Sequence, residues 1–212
     1  MKDYFWGSKE EEKEIEPTSI HQLATETKAH SSTDNNVVEF SHNRIYFYSG
    51  VTRPKVLQLN KGIYNLNINM LSKTVPLEYS PPPIKLHINS YGGSVFAGLA
   101  AVDYIKNSKI PVHTVIDGCA ASAATLMSCV AERRYMHKNA CMLVHQLSGV
   151  MWGKFQEMQD DLQNSEMLMH KIKSIYKEHT KIPKKEMDNI LKHDLWWEAE
   201  KCLEYGLVDE LI

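Results

Sequence analysis

The sequence predicts an α/β domain built around a parallel sheet, and three observations carry that prediction. Between residues 84 and 144, short apolar strands alternate with helices, the pattern of βαβ crossovers. A turn of small residues follows each of the first two strands. Ser94, Ser122 and His145 all fall at strand C-terminal ends, where parallel sheets gather functional groups.

Each element has its own reason. Arg44–Tyr48 is aromatic and β-branched and stops at Ser49-Gly50, so it reads as a strand. Val56 to Leu71 carries apolar residues near helical spacing, and Ser80-Pro-Pro-Pro83 is a loop. Ile84–Ile88 is an apolar strand, Asn89–Ser94 a turn and Val95–Asn107 a helix. Pro111 opens a second strand, Val112–Ile116. Asp117–Ala121 reads as its turn, and an uncharged helix starts from Ser122. A third strand, Ala140–Val144, leads directly into His145. Gly149–Gly153 reads as a short edge strand. Phe155–Thr180 follows as one long helix, with Met158, Leu162, Met169, Ile172 and Tyr176 at three- and four-residue steps and their multiples. It exceeds the ~8–20 residues usual for a globular helix, which points to packing against another subunit. Pro183–Leu191 and Ala199–Tyr205 are shorter helices, the last closed by Gly206.

At 212 residues and 24.3 kDa the chain suits one domain, able to bury roughly 70% of its unfolded surface. Its net charge of −2 lacks the clustered Lys/Arg excess of a nucleic-acid surface, so no nucleic-acid partner is expected. No membrane association is expected either: the uncharged run Gly118–Ala131 spans 14 residues, against about 20 for a transmembrane helix. The four cysteines form no CxxC pair, which points to neither a zinc site nor a disulfide framework. With no apolar signal region near Met1, the expectation is a soluble cytoplasmic protein. The charge is uneven. Residues 1–36 hold four lysines and eight acidic residues, net −4, leaving +2 for the remainder. That segment reads as acidic and flexible, with Tyr4-Phe5-Trp6 as a candidate docking peptide. Residues 37–212 are the folded domain.

The chemistry centres on Ser122. A serine becomes a nucleophile only when a base removes its proton, a third group orients the base, and backbone N–H donors await the oxyanion. Ser122 lies between Ala120-Ala121 and Ala123-Ala124, small residues that admit substrate at a strand-to-helix turn rich in unpaired N–H groups. His145 follows an apolar strand end, where an imidazole faces a cleft. For the acid, Asp194 sits in His193-Asp-Leu-Trp-Trp197 among bulky groups suited to shield it. Asp160, Asp161, Asp188 and Asp209 compete, and spacing does not choose among them. Gly92-Gly93 permits positive φ and close backbone approach, as an oxyanion loop requires. Cys119, with no basic neighbour in sequence, reads as a semi-buried thiol rather than a rival nucleophile.

Four segments together carry a resemblance: Ile88-Asn-Ser-Tyr-Gly-Gly-Ser-Val95, Gly118-Cys-Ala-Ala-Ser122, Leu143-Val-His-Gln146 and Glu204-Tyr-Gly-Leu-Val-Asp209. In this order and spacing, from about Asn43 to Ile212, the chain resembles the proteolytic subunit of the Clp protease (ClpP), of the ClpP/crotonase fold. The resemblance implies a ββα spiral with a protruding strand–helix handle at 149–180, assembling into stacked heptameric rings, a tetradecamer. It implies a serine endopeptidase with Ser122 as nucleophile, His145 as base and Asp194 as orienting acid. The oxyanion donors would be the N–H groups of Gly93 and Ala123. It implies no metal and no cofactor in the subunit. ATP belongs to an AAA+ unfoldase of ClpX, ClpA or ClpC type, which threads unfolded polypeptide into the chamber. Where the family usually has Pro, Gln, Met and Pro, this chain has Tyr91, Cys119, Ala123 and Leu147. The change at Ala123 points to an altered substrate pocket. Residues 1–42 do not match the family's pore-lining segment. Two other functions fit the pattern: a non-catalytic ring subunit that modulates a host Clp protease, and acyl-CoA chemistry of the crotonase type.

Overall fold

A computed structural model describes residues 37–212. The acidic segment 1–36 and its Tyr4-Phe5-Trp6 cluster lie outside the described residues. The chain starts with an antiparallel hairpin, β1 (Val37–Ser41) and β2 (Arg44–Tyr48). Thr52 then caps α1 (Arg53–Thr74), accepting from the Lys55 N–H, with Pro54 in the first turn where its missing donor costs nothing. Strand β3 (Ile84–Ser90) leads to α2 (Val95–Lys106), capped by Ser94. Strand β4 (Val112–Ala121) leads to α3 (Ala123–Cys129), followed by β5 (Arg133–Met136) and β6 (Cys141–Leu143). The long helix α4 spans Phe155–His179. After it come α5 (Lys184–Leu191), β7 (Trp196–Trp197), α6 (Ala199–Glu204) and β8 (Glu210–Leu211).

Strands β2, β3, β4, β5 and β8 run parallel in that spatial order, as the βαβ pattern predicts. One predicted turn is strand instead. Asp117–Ala121 continues β4, so the element covers ten residues rather than stopping at Ile116. The cause is a bulge: Ile88 to Ser90 on β3 faces Ile116 to Ala120 on β4, giving β4 the longer path. Before the bulge, His113–Ile116 pair with β5. After it, Cys119–Ala121 pair with β6. Gly149–Gly153 forms no strand in the isolated chain, which gives it no neighbouring edge to pair with.

The core lies between the sheet and its covering helices. Ile45, Phe47, Ile84, Leu86 and Ile88 on the strands are buried with Val56, Leu59 and Ile63 of α1 and Val95, Ala101 and Val102 of α2. Helix α3 is buried on every side, which explains its lack of charge, and α4 seals it with Leu168, Ile172 and Tyr176. Beyond this stripe α4 shows Phe155, Met158, Leu162 and Met167 to solvent.

Arg134 on β5 ties the C-terminal elements together. Its guanidinium donates to both Asp209 carboxylate oxygens, at 3.0 and 2.5 Å, and to the carbonyls of His179 and Gly206. Burial alone would raise the Asp209 pKa, but the hydrogen bonds and charge of Arg134 outweigh it and hold the carboxyl below its ordinary 3.8. A carboxyl more acidic in the folded state contributes stability that is complete above its unfolded pKa and lost as pH falls through the folded one. Urea unfolding between pH 7 and pH 2 should therefore show an acid limb below about pH 4 that Asp209→Asn flattens. An acid limb identical in the variant would remove Asp209 from its cause.

Candidate active site

Two strand pairings bring the predicted residues to one place. Strands β4 and β6 run parallel with Ala121 opposite Leu143, and the Ser122 N–H donates to the Leu143 carbonyl at 2.9 Å. Ser122 is thereby fixed beside the end of β6, two residues before His145. Strands β6 and β7 run antiparallel with Met142 opposite Trp197 and Leu143 opposite Trp196. Continued past the paired residues, that register sets His145 opposite Asp194. The side chains meet there, His145 Nδ1 to Asp194 Oδ1 at 2.8 Å. A further bond, Gln146 N–H to the Leu191 carbonyl at 2.7 Å, clamps the two segments just beyond.

Ser122 and His145 are buried, while the Asp194 side chain is 58% exposed. The bulky neighbours read as its shield do not cover it in the isolated chain, and Leu195 itself is exposed. Ser122 has φ 59° and ψ −128°, a left-handed conformation rare for a residue with a side chain. Such strain, of order 1–3 kcal/mol, persists only where surrounding bonds over-determine it. A strained strand-to-helix turn is also how α/β-hydrolase folds present their nucleophile. Among the described residues no group lies within hydrogen-bond reach of the buried Ser122 Oγ, so the Ser122–His145 bond is not formed in this state. Catalytic hydrogen bonds commonly close only with substrate in place.

The glycine pair explains the room at this turn. Val51 donates to the Gly92 carbonyl at 2.7 Å and accepts from the Ser94 N–H at 2.8 Å. In such a parallel bridge the N–H of the central residue, Gly93, points away from Val51 and stays outside the ladder. A Cβ on Gly93, at φ +146°, would lie 2.5 Å from the Val51 carbonyl oxygen. Gly92, at φ +92°, faces Ser122: its Cβ would lie 2.6 Å from Ser122 Cβ and 2.7 Å from the Ala121 carbonyl oxygen. Tyr91 packs edge-on against Trp196, centroids 6.3 Å apart, joining this loop to β7. These roles of Gly92 and Tyr91 were not legible in the sequence beyond the double glycine itself, because they arise from contacts between distant segments.

The departures at 119, 123 and 147 acquire reasons. Burial pushes the Cys119 thiol up to about 11, so it is not a thiolate at neutral pH. Ala123 is fully buried, and its Cβ lies where it would press a Cβ on Gly98 of α2. Its side chain packs α3 on α2. Leu147, unlike Pro, keeps an N–H, and it donates to Met169 Sδ on α4 at 3.1 Å.

Asp160 and Asp161 lie on α4, Asp188 lies on α5 paired with Lys173, and Asp209 is held by Arg134, while Asp194 is the acid whose carboxylate sits 2.8 Å from His145 Nδ1. Among the described residues no group of His, Cys, Asp and Glu could hold a metal ion, and no helix is long and apolar enough to cross a membrane. All four cysteines are free thiols. An apolar groove of about 600 Å³ between α1 and α2, lined by Ile63, Tyr64, Ile68, Leu71 and Tyr104, shares no residue with this site.

The chain belongs to the Clp protease family, whose model matches residues 43–212. It is 32% identical over 175 residues to the ATP-dependent Clp protease proteolytic subunit 1 of Chlamydia muridarum, covering 80% of this chain and 85% of that one. Its fold matches that of a point mutant of ClpP1 from Listeria monocytogenes, with a TM-score of 0.69 at 24% identity over 81% of this chain and 91% of that one.

The glycine geometry makes a stability prediction. Gly92→Ala should lose about 2–4 kcal/mol, from overpacking of roughly 1–3 and left-handed strain of roughly 1. Gly50→Ala, whose Cβ meets nothing closer than 3.8 Å, should stay within about 0.5 kcal/mol of wild type. Urea midpoints measure both, and equal midpoints would contradict the close approach.

Proposed function

We propose that the chain is a serine endopeptidase subunit in which Ser122 is the nucleophile, His145 the base and Asp194 the orienting acid. The observation that carries this reading is the β6–β7 register, which seats the Asp194 carboxylate 2.8 Å from His145 Nδ1 beside the strained Ser122 turn. In the reaction His145 Nε2 takes the Ser122 hydroxyl proton as Oγ attacks the substrate carbonyl carbon. Asp194 accepts a hydrogen bond from the Nδ1–H, which fixes the tautomer and stabilises the imidazolium without taking its proton. The oxyanion forms facing the Gly93 and Ala123 N–H groups. Collapse breaks the C–N bond, with His145 returning its proton to the leaving amine. Water, deprotonated by His145, then hydrolyses the acyl-enzyme and restores Ser122. No step calls for a cofactor.

The apolar residues that α4 exposes support its use as a handle between rings, with 149–153 pairing as a strand once a neighbour supplies an edge. The subunit then works in stacked heptameric rings served by an AAA+ unfoldase, on unfolded polypeptides that reach an enclosed chamber. Four free thiols fit a reducing, cytoplasmic setting. Assembly also supplies a reason for the open Ser122–His145 bond: the 144–154 loop and α4 are the elements a neighbouring subunit would brace.

The test is labelling by a fluorophosphonate probe on size-separated fractions. Wild type should label in the high-mass fraction and Ser122→Ala should not. Asp194→Asn should assemble normally but hydrolyse peptides about 10³–10⁴-fold more slowly, the order found when a triad acid becomes an amide. Assembled wild type that fails to label would favour the non-catalytic ring subunit instead.

A further inference from the structure

The carbonyl of Ser122 belongs to the peptide unit whose other half is the Ala123 N–H. Peptide units are planar, so whatever fixes the direction of the carbonyl also fixes that of the N–H. This carbonyl accepts two hydrogen bonds from Thr125 on α3: the backbone N–H at 3.0 Å and the hydroxyl Oγ1 at 2.6 Å. Thr125 is fully buried. A carbonyl oxygen only accepts, and a threonine hydroxyl has one proton, so that proton lies on the Ser122 side.

A second hydroxyl stands 2.5 Å from Thr125 Oγ1, that of Tyr176 on α4. With the threonine proton already given to the carbonyl, Tyr176 must be the donor. Tyr176 is fully buried, and burial pushes its phenol well above the ordinary tyrosine range, so it keeps its proton at neutral pH. A directed chain results: Tyr176 O–H to Thr125 Oγ1, Thr125 O–H to the Ser122 carbonyl. In a dry interior the bonds of such a chain polarise one another.

We propose that Tyr176 and Thr125 are positioning residues for the oxyanion site, holding the Ser122–Ala123 peptide plane so that the Ala123 N–H faces the developing charge. Drawing electron density toward the carbonyl also makes that N–H a stronger donor. The chain explains how Ser122 tolerates φ 59°: Leu143 holds its N–H and Thr125 its carbonyl, so the strained turn is gripped on both sides. A threonine bonding back within its own helix is ordinary. The buried tyrosine from another helix is not, because phenylalanine would fill the same space without a donor to satisfy. The proposal rests on the assignment of Ser122 as nucleophile and Ala123 as an oxyanion donor.

The experiment compares assembled wild type with Tyr176→Phe, Thr125→Val and Thr125→Ser. Each is measured for peptide hydrolysis and for affinity toward a peptide aldehyde and the matching alcohol. The aldehyde adds Ser122 Oγ across its carbonyl and places the resulting oxygen in the oxyanion site, whereas the alcohol binds without reaction. Deleting an entire oxyanion donor costs about 10²–10³ in kcat. Weakening one through Tyr176→Phe should lower kcat roughly tenfold, leave KM within about twofold, and reduce the aldehyde affinity by the same factor as kcat. Alcohol affinity should not change. Thr125→Val should lose more, and Thr125→Ser, which keeps the hydroxyl, should recover most of the loss. If Tyr176→Phe does not assemble, Thr125→Val, which preserves shape, decides the matter by the same ratio.

Wild-type kcat and aldehyde-to-alcohol ratio in both Tyr176→Phe and Thr125→Val would overturn the proposal, as would equal losses for the two ligands, which mark a merely structural role. Wild type that neither hydrolyses peptide nor gains affinity from the aldehyde would instead overturn the nucleophile assignment, and this proposal with it.

Discussion

Everything at the candidate site hangs on how β4 divides its edge. A strand of uniform path would pair with β5 along its whole length and carry Ser122 away from His145. The bulge opposite Ile88–Ser90 lengthens β4 and lets its last residues pair with β6 instead. Those residues are Cys119, Ala120 and Ala121, small enough for β3, β6 and the Gly92 loop to close around them. Strand β6 can then offer its other edge to β7. From these pairings follow the positions of Ser122, His145 and Asp194 at one end of the sheet.

The same economy governs the turn after β4. Ser122 is held in a left-handed conformation by bonds to Leu143 on one side and Thr125 on the other, and Gly92 leaves the space its side chain occupies. Helix α4 reaches this turn through Tyr176 and reaches the loop after His145 through Met169. The helix whose exposed apolar residues suit a subunit interface is therefore also in contact with both halves of the site. A neighbour that shifts α4 would be felt at Ser122 and at His145 together.

Much of this was legible in the sequence, and the boundary is a physical one. Strands β2, β3 and β6 and helices α1, α2 and α4 announce themselves by apolar runs or helical periodicity, and Ser122 and His145 stand out because they end such runs. Asp117–Ala121 reads as a turn because glycine and alanine carry no alternation, although they serve here as the inner residues of a crowded strand. Strands β5, β7 and β8 are too short to show a period. That is why composition and spacing left Asp194 one acid among several, until the four-segment resemblance to the Clp peptidases singled it out. Its contact with His145 is a consequence of register, a long-range property that only the folded sheet expresses. The Tyr176–Thr125 bond was equally hidden, since the tyrosine looks like any other member of an apolar stripe.

The central claim, that two strand pairings assemble a Ser-His-Asp site here, is tested most directly by a high-resolution structure of the assembled protein after reaction with a fluorophosphonate. The account predicts a phosphonyl group on Ser122 Oγ, its oxygen within hydrogen-bond distance of the Gly93 and Ala123 nitrogens, and Asp194 still on His145 Nδ1. An adduct on another residue, or a phosphonyl oxygen turned away from both nitrogens, would contradict it.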